Sequence, residues 1–460
     1  MSAVAADRPG VPGEAIDLTN LWSRNVRRTG DGVLEVAGVD VLQLAAEYGT
    51  PAFVMDEDDF RTRARAYRDA FTDAFAPLGV TVDVYYAGKA FLCTAVARWA
   101  HEEGLRVDTC TGGELATALR AGVPGAHIGL HGNNKSDDEI DRAVEAGIGR
   151  LVLDSLGEVD RLAEAGRRHG RRVPVMVRVT TGVHAGGHEF VATAHEDQKF
   201  GLSIAGGQAM EGLLAVLERP ELELVGLHSH IGSQIFDASA FEVATAKVLA
   251  LRAELADRTG YLVPEVDLGG GYGVAYLPGE VTADPVEVAR RIATVVGSDC
   301  AALGTPVPRI SVEPGRAIVA PTTFTLYRVG VVKPVTTDDG TVRTYVSVDG
   351  GMSDNPRPVL YEAGYTAELA SRTSAAAPVR ARVVGKHCES GDVVVHDAAL
   401  PADIVPGDLV ATPVTGAYGR SMASNYNSVP RPPVLAVRAG TVRVLVRRET
   451  EEDLLALDVG

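Results

Sequence analysis

The segment VDVYYAGKAF (82–91) carries a run of strand-forming residues into a lysine. Lysines are scarce in the chain, six against 38 arginines, so one at this place points to chemistry that a guanidinium cannot do. An amine that gives up its proton attacks a carbonyl, whereas arginine stays charged. Three further groups stand downstream: His230 in HSHIGSQ, the glycine run GGGYG (269–273) and EPGR (313–316). Each also has an ordinary reading. A lysine can close a strand at the surface, a lone histidine can be a satisfied core residue, a triple glycine can be a tight turn, and Glu313 with Arg316 can be an internal ion pair.

Position weighs these readings against one another. From about residue 81 to 315, short apolar runs alternate with Ala-, Leu- and Glu-rich helical stretches. The candidate strands are TVDVYYA (81–87), GLRVDT (104–109), AHIGLH (126–131), RLVLDS (150–155), VPVMVRV (173–179), LVGLHSH (224–230), EVDLGG (265–270) and RISVEP (309–314). Repeated strand–helix units imply parallel strands, and eight of them imply a closed (β/α)8 barrel of the TIM type. Between the third and fourth, Ser136 is placed as an N-cap with Glu139 three residues on, a capping box. Reacting groups in such barrels project from the C-terminal strand ends. Lys89 then follows the first strand, His230 ends the sixth, GGGYG follows the seventh and EPGR the eighth, so all four converge on one mouth.

Convergence gives each group a role. Lys89, desolvated in the mouth and close to Arg316, has its pKa lowered toward an available neutral amine. The glycine run lacks the full dinucleotide fingerprint and the P-loop lysine. Its backbone can still cup a phosphate, and phosphate sites recur after the seventh and eighth barrel strands. The ring of His230 can stack on a planar heterocycle, and Glu313 at a pyridine nitrogen keeps that nitrogen protonated so the ring withdraws electrons. An amine for an aldehyde, a stacked ring, a ring-nitrogen partner and a phosphate cup together describe pyridoxal 5'-phosphate.

After Pro321 the texture changes to alternating branched apolar residues with turn signals, as in FTLYRVGVVKPV, TYVSVDGG, VRARVVGKHC and TVRVLVRRE. This reads as an all-β region. GVLEVAGVDV (32–41) also reads as strand and hairpin, so the β-domain draws on both chain ends. The expected division is a flexible terminus over 1–30, a segment over 31–56 joining the β-domain, the barrel over 57–320 and a β-domain, sandwich- or barrel-like, over 321–460. The segment 182–201, rich in glycine and histidine after the fifth strand, is expected to be a mobile lid. A net charge of −17 without a basic block argues against nucleic acid or an anionic membrane as partner. Four cysteines without CxxC spacing fit a reducing cytoplasm, and no export signal or run of eighteen apolar residues is present.

YAGKAF, HSHIGSQ, DLGGGYG, EPGRAI, VDGGMSDNPRPVLY, GKHCESGD and TGAYGRSMASNYN occur in that order. Together they resemble the actinobacterial diaminopimelate decarboxylases, within the alanine-racemase-like (fold type III) pyridoxal-phosphate enzymes, over nearly the whole chain from about residue 30. The resemblance implies decarboxylation of meso-2,6-diaminopimelate to L-lysine, the last step of lysine biosynthesis. It implies that Lys89 binds the cofactor aldehyde, His230 stacks on its ring and Glu313 faces its nitrogen. Gly269, Gly270, Gly271, Ser233 and Tyr418 match the phosphate-binding set, with Gly315 beside them. Arg316, Arg357 and Tyr361 match groups that hold the substrate, Arg316 gripping its distal carboxylate. Cys388 and Glu389 match a pair that reaches the active site from the other subunit of a homodimer, Cys388 as the candidate acid. Asp108 and Glu114 match positions near the cofactor, although Glu114 reads equally as a first-turn helix acid.

Other readings stay open on the sequence. Relatives of this fold decarboxylate ornithine, arginine or carboxynorspermidine, and a copy serving another amino acid would share the cofactor site. An amino-acid racemase would share the barrel and the lysine. A metal-dependent barrel hydrolase would use His228, His230 and Asp267.

Overall fold

The computed structural model describes residues 19–183 and 199–460. The expected lid falls outside them except at its ends, as does much of the expected flexible terminus. The chain divides into two units, one of Arg63–Gly273 with Ala283–Ala317, the other of residues up to Thr62 with Val274–Thr282 and Ile318–Gly460.

The first unit is the expected barrel. Its strands are β1 (Val82–Ala87), β2 (Arg106–Thr109), β3 (Ile128–Leu130), β4 (Arg150–Leu153), β5 (Val173–Thr180), β6 (Leu222–His228), β7 (Glu265–Asp267) and β8 (Arg309–Val312). Each pairs in parallel with the next, and β8 returns to β1, which closes the cylinder. With helices outside and side chains inside, both faces are covered, so the strands read as apolar runs rather than alternations. Strands are shorter than their sequence patterns suggest where local geometry forbids extension, at the start of β3 and at the end of β7. His127 belongs to a 3-10 turn, and Gly269, with φ +69°, turns the chain away after Asp267. The helix Asp137–Ala146 begins with the expected box: Glu139 N–H donates to Ser136 Oγ at 3.2 Å and Ser136 N–H to Glu139 Oε2 at 2.9 Å.

In the second unit, the long strand β9 (Thr323–Thr336) pairs with β10 (Val342–Val348), which pairs with β11 (Pro378–Val384) and then β12 (Val393–Pro401). The other end of β9 takes β13 (Leu409–Thr412) on one side and Ala52–Asp56 on the other. Ala52–Asp56 lies in turn beside β14 (Val434–Arg438), followed by β15 (Thr441–Val446). The N-terminal contribution to the large sheet is therefore AFVMD. The 32–41 stretch makes the hairpin of a separate small sheet with Val26–Arg28. That small sheet shares a core with the large one: Val36 and Val39 cluster with Val54, Phe324, Leu326, Ala411 and Leu435, and Trp22 meets Phe324 edge-on at 5.8 Å. Among the described residues no helix is long and apolar enough to cross a membrane.

Phe324 joins both sheets in this core, so Phe324→Ala is expected to cost about 3–5 kcal/mol. Urea unfolding followed by circular dichroism measures it.

Candidate active site

Arg150 opens β4 with its guanidinium inside the barrel, 2% exposed. Four carboxylates from other strands surround it: Asp108 of β2 at 3.4 Å, Glu265 and Asp267 of β7 at 3.1 and 2.6 Å, and Glu313, just past β8, at 3.8 Å. Its carbon centre lies 3.5 Å from the ring centroid of Tyr85 on β1. Reach across the barrel depends on Gly129, which stands between Asp108 and Arg150 in the strand register. A Cβ there would come within 2.5 Å of Asp108 Oδ1 and 3.2 Å of Arg150 Nε. Glycine in a strand interior is the price of this close approach.

One guanidinium does not balance four acids. Burial pushes Asp108 up to about 7, Arg150 opposing and Asp267 adding to the rise. Burial and then the charge of Asp108 raise Glu313 as well. The nearby histidines do not supply positive charge. Burial lowers His131 to about 4 and holds His228 well below its usual range. Glu313 Oε1 is approached by His131 Nε2 at 3.2 Å and His228 Nε2 at 3.1 Å, yet among the described residues it has no hydrogen bond. A buried carboxylate oxygen without a donor, in a field of excess negative charge, suits a partner that brings an N–H and a positive charge. A protonated pyridine nitrogen is such a partner, so these residues fit pyridoxal phosphate.

The remaining barrel residues expected at the site stand on the same C-terminal rim. Lys89 lies on the 3-10 turn Gly88–Ala90 directly after β1. It is exposed, which corrects the expected desolvation: the turn carries it past the strand's buried face to the open end of the barrel. Its charge nevertheless reaches Glu313 and His230. His230 is partly exposed, and its basicity is held well down, by burial first and then by Lys89 and Arg178. Gly270 N–H donates to His230 Nδ1 at 3.3 Å, which fixes the ring's orientation and keeps that nitrogen an acceptor. Gly269 N–H is likewise committed, to Asp267 Oδ1 at 2.7 Å. These two glycines serve the turn by conformation and close approach rather than by offering amides: a Cβ on Gly269, at φ +69°, would lie 2.5 Å from Ser229 O, and one on Gly270 2.1 Å from Glu313 O. A Cβ on Gly271, at φ +107°, would lie 2.3 Å from Gly232 O. Arg316 donates to Ser233 Oγ at 3.0 Å, so a residue expected on the substrate and one expected on the phosphate meet. Gly315 packs on the end of β1, where a Cβ would be 2.8 Å from Ala87 O. Glu114 accepts the N–H of Cys110 at 2.6 Å at the start of its helix.

The other expected residues belong to the second unit. Arg357 is buried, its guanidinium 4.5 Å from the Tyr276 ring centroid and hydrogen-bonded to Tyr365 Oη. Tyr361 ends the same short helix, Arg357–Tyr361. Tyr418, with φ +60°, is near enough for its charge to act on Arg357. Cys388 and Glu389 are exposed on the loop between β11 and β12.

Sequence reasoning passed over Arg150, His131, Glu265, Tyr276 and Tyr365. The signal for one of them was present: Glu265 alternates with Asp267 within one strand, as inward acids on a barrel wall do. The metal-site reading is corrected. Among the described residues the trio with ligand atoms within 4.8 Å of one another is His131, His228 and Glu313, while Asp267 is taken up by Arg150 and Gly269.

Replacing Arg150 by Met leaves its carboxylates buried without their cation, at a cost of about 3–5 kcal/mol. The pH dependence follows from the raised acids. Folded Asp108 and Glu313 bind more protons than their unfolded counterparts between about pH 4 and about pH 7, so their contribution to stability falls as pH rises across that window, more steeply without the guanidinium, while the lowered histidines, present in wild type and variant alike, act in the opposite sense. Urea unfolding of Arg150→Met is expected to show a smaller deficit at about pH 5 than at about pH 8.

The family model of the pyridoxal binding domain of pyridoxal-dependent decarboxylases matches residues 57–320. A diaminopimelate decarboxylase of Mycobacterium tuberculosis is 53% identical over 447 residues, covering 96% of this chain and 98% of the relative. One from Bacillus subtilis is 41% identical over 433 residues, covering 94% and 97%. The crystal structure of the diaminopimelate decarboxylase of M. jannaschii in complex with L-lysine superposes with a TM-score of 0.88 at 32% identity, covering 95% of this chain and 98% of that one. With matches that run nearly end to end in sequence and in fold, the chain belongs to the diaminopimelate decarboxylase family of pyridoxal-dependent decarboxylases.

Proposed function

We propose that the protein decarboxylates meso-2,6-diaminopimelate to L-lysine and carbon dioxide, as a pyridoxal-phosphate-dependent homodimer in the cytoplasm. The observation that carries the reading is the near-full-length similarity to relatives that bear this activity in their names. The barrel rim supports it, with an amine, an oriented imidazole and an undonated buried carboxylate standing together. Bound pyridoxal phosphate supplies a conjugated cationic ring that accepts the electrons released when a carboxylate leaves the α-carbon.

The chain's own residues do the rest. Lys89 would hold the cofactor through its aldehyde. Glu313 holds a proton at the ring nitrogen, and its raised pKa falls back once that positive charge is present. Neutral His230, held by Gly270 N–H, would support the ring without adding a competing charge. Gly271, Gly315, Ser233 and Tyr418 receive the phosphate. Arg316 and Arg357 grip the substrate's far carboxylate with Tyr361 beside them, and Arg357 is already oriented by two tyrosines. Cys388 and Glu389 act in the neighbouring subunit's site, the thiol giving the proton that replaces carbon dioxide and the carboxylate facing the distal amine. Their exposure on one loop tip supports a contribution to another chain. A substrate lacking the distal carboxylate would leave a buried arginine unpaired, which disfavours lysine, ornithine and arginine.

The purified protein is expected to be yellow and to release carbon dioxide from meso-diaminopimelate, with the three monocarboxylic amino acids at least about 1,000-fold poorer in kcat/KM. Preference for ornithine or arginine would overturn the substrate reading. Lys89→Ala is expected to lose both turnover and the visible band, and Cys388→Ala to lose about 100-fold in kcat while keeping the band.

A further inference from the structure

We infer that Asp392 is a positioning residue for Cys388 and Glu389, a role that rests on the proposed part of those two residues in the reaction. Asp392 is 3% exposed and lies at the base of the loop that carries them. One carboxylate oxygen accepts the N–H of Met352 at 2.6 Å, the other the N–H of His387 at 2.8 Å. The first bond ties the loop to the turn that leads into Arg357; the second fixes the residue directly before Cys388. Its main chain closes the same loop, with Asp392 N–H donating to Glu389 O at 3.1 Å and Gly385 N–H to Asp392 O at 3.0 Å.

The surroundings are shaped to this side chain. A Cβ on Gly351 would come within 2.5 Å of the Asp392 carboxylate, and one on Gly385 within 2.2 Å. Two glycines from separate segments thus leave a slot as deep as an aspartate and no deeper. His387 completes the anchor: its Nε2 lies 2.8 Å from Ser353 Oγ and its Nδ1 3.2 Å from Asn427 Oδ1. The chain between these anchors, Cys388, Glu389 and Ser390, is exposed. A polar tip fastened at both ends presents its thiol and carboxylate in a fixed direction, which is what a group reaching into a reaction site must do.

The slot makes an unusual order of variants the test. Asp392→Asn keeps the shape and one acceptor oxygen, whereas Asp392→Glu keeps the charge but is a methylene too long for the glycine walls. The holoenzymes of Asp392→Asn, Asp392→Glu, Asp392→Ala and Cys388→Ala are compared for kcat/KM on meso-diaminopimelate and for the rate of Cys388 alkylation by a small uncharged thiol reagent across pH. Hydrogen exchange at the Met352 and His387 amides is read alongside. Glu and Ala are expected to lose about 100-fold in kcat/KM, and Asn only about 10-fold. In Glu and Ala the two amides lose protection and the alkylation profile moves, while cofactor absorbance and melting temperature stay within the range of Asn. If Cys388→Ala is crippled and Asp392→Ala keeps wild-type kcat/KM and alkylation, the positioning role is overturned. An Asp392→Glu variant as active as wild type overturns the slot argument even if Asp392→Ala does not fold. If Cys388→Ala itself is fully active, the reading of Cys388 fails and this role fails with it, a result distinct from either of the others.

Discussion

Arg150 sets the terms for everything at the barrel rim. A guanidinium enclosed by parallel strands is tolerable only with anions around it, and four acids on three other segments supply them. The attraction is strong because the interior screens it poorly, and for the same reason the uncompensated remainder is strong too. The side chains around Arg150 inside this barrel are therefore an acid-rich ring. Such a ring raises the proton affinity of its outermost member, Glu313, and makes a cationic heterocycle a welcome neighbour. The ion network underneath is thus part of how the cofactor nitrogen would be held protonated, although no residue of it except Glu313 needs to touch that nitrogen.

The histidines fit this picture by being neutral. His131 and His228 pack edge to face at 5.0 Å, against Glu313. Charged imidazoles there would neutralise the carboxylate and remove the reason for it to seek a ring nitrogen. Burial prevents this, and Arg150 and Arg178 reinforce it. His230 follows the same rule at the rim. Its Nδ1 takes a backbone N–H, a bond that a doubly protonated ring could not accept. At His131 and His228 desolvation outweighs the attraction of the acids, and at His230 the charge of Lys89 adds to burial.

Much of this arrangement was legible in the sequence, and the exceptions share a cause. Strand–helix alternation located all eight barrel strands, and the capping box at Ser136 was readable because both partners lie within four residues. Lys89, His230 and Glu313 could be placed because each follows a strand whose direction is set by the topology. Arg150 could not be found that way. Its meaning comes from Asp108, Glu265 and Asp267, which lie from 42 to 117 residues away and meet it only when the cylinder closes. Gly129 stands inside a strand, and only the register between Asp108 and Arg150 explains it. The N-terminal segment joins the β-unit as expected, but which of its strands enters the large sheet was not legible, for a related reason. VLEV and VDV alternate more cleanly than AFVMD, but AFVMD is buried on both faces, between β9 and β14, and a doubly covered strand loses its alternation.

The two units solve different problems with the same device. In the barrel, Gly129 and Gly270 let charged or backbone groups approach more closely than a side chain would allow; in the β-unit, Gly351 and Gly385 do this around Asp392. Each glycine costs conformational entropy, roughly 0.5–1 kcal/mol relative to alanine. That cost is accepted where a carboxylate or a carbonyl must be held to within a fraction of an ångström. The positions where the chain gives up stability in this way mark where geometry matters most for the proposed reaction: around Glu313, proposed to face the cofactor, and beneath Cys388, proposed to supply the proton. A chain selected for stability alone would have filled both places.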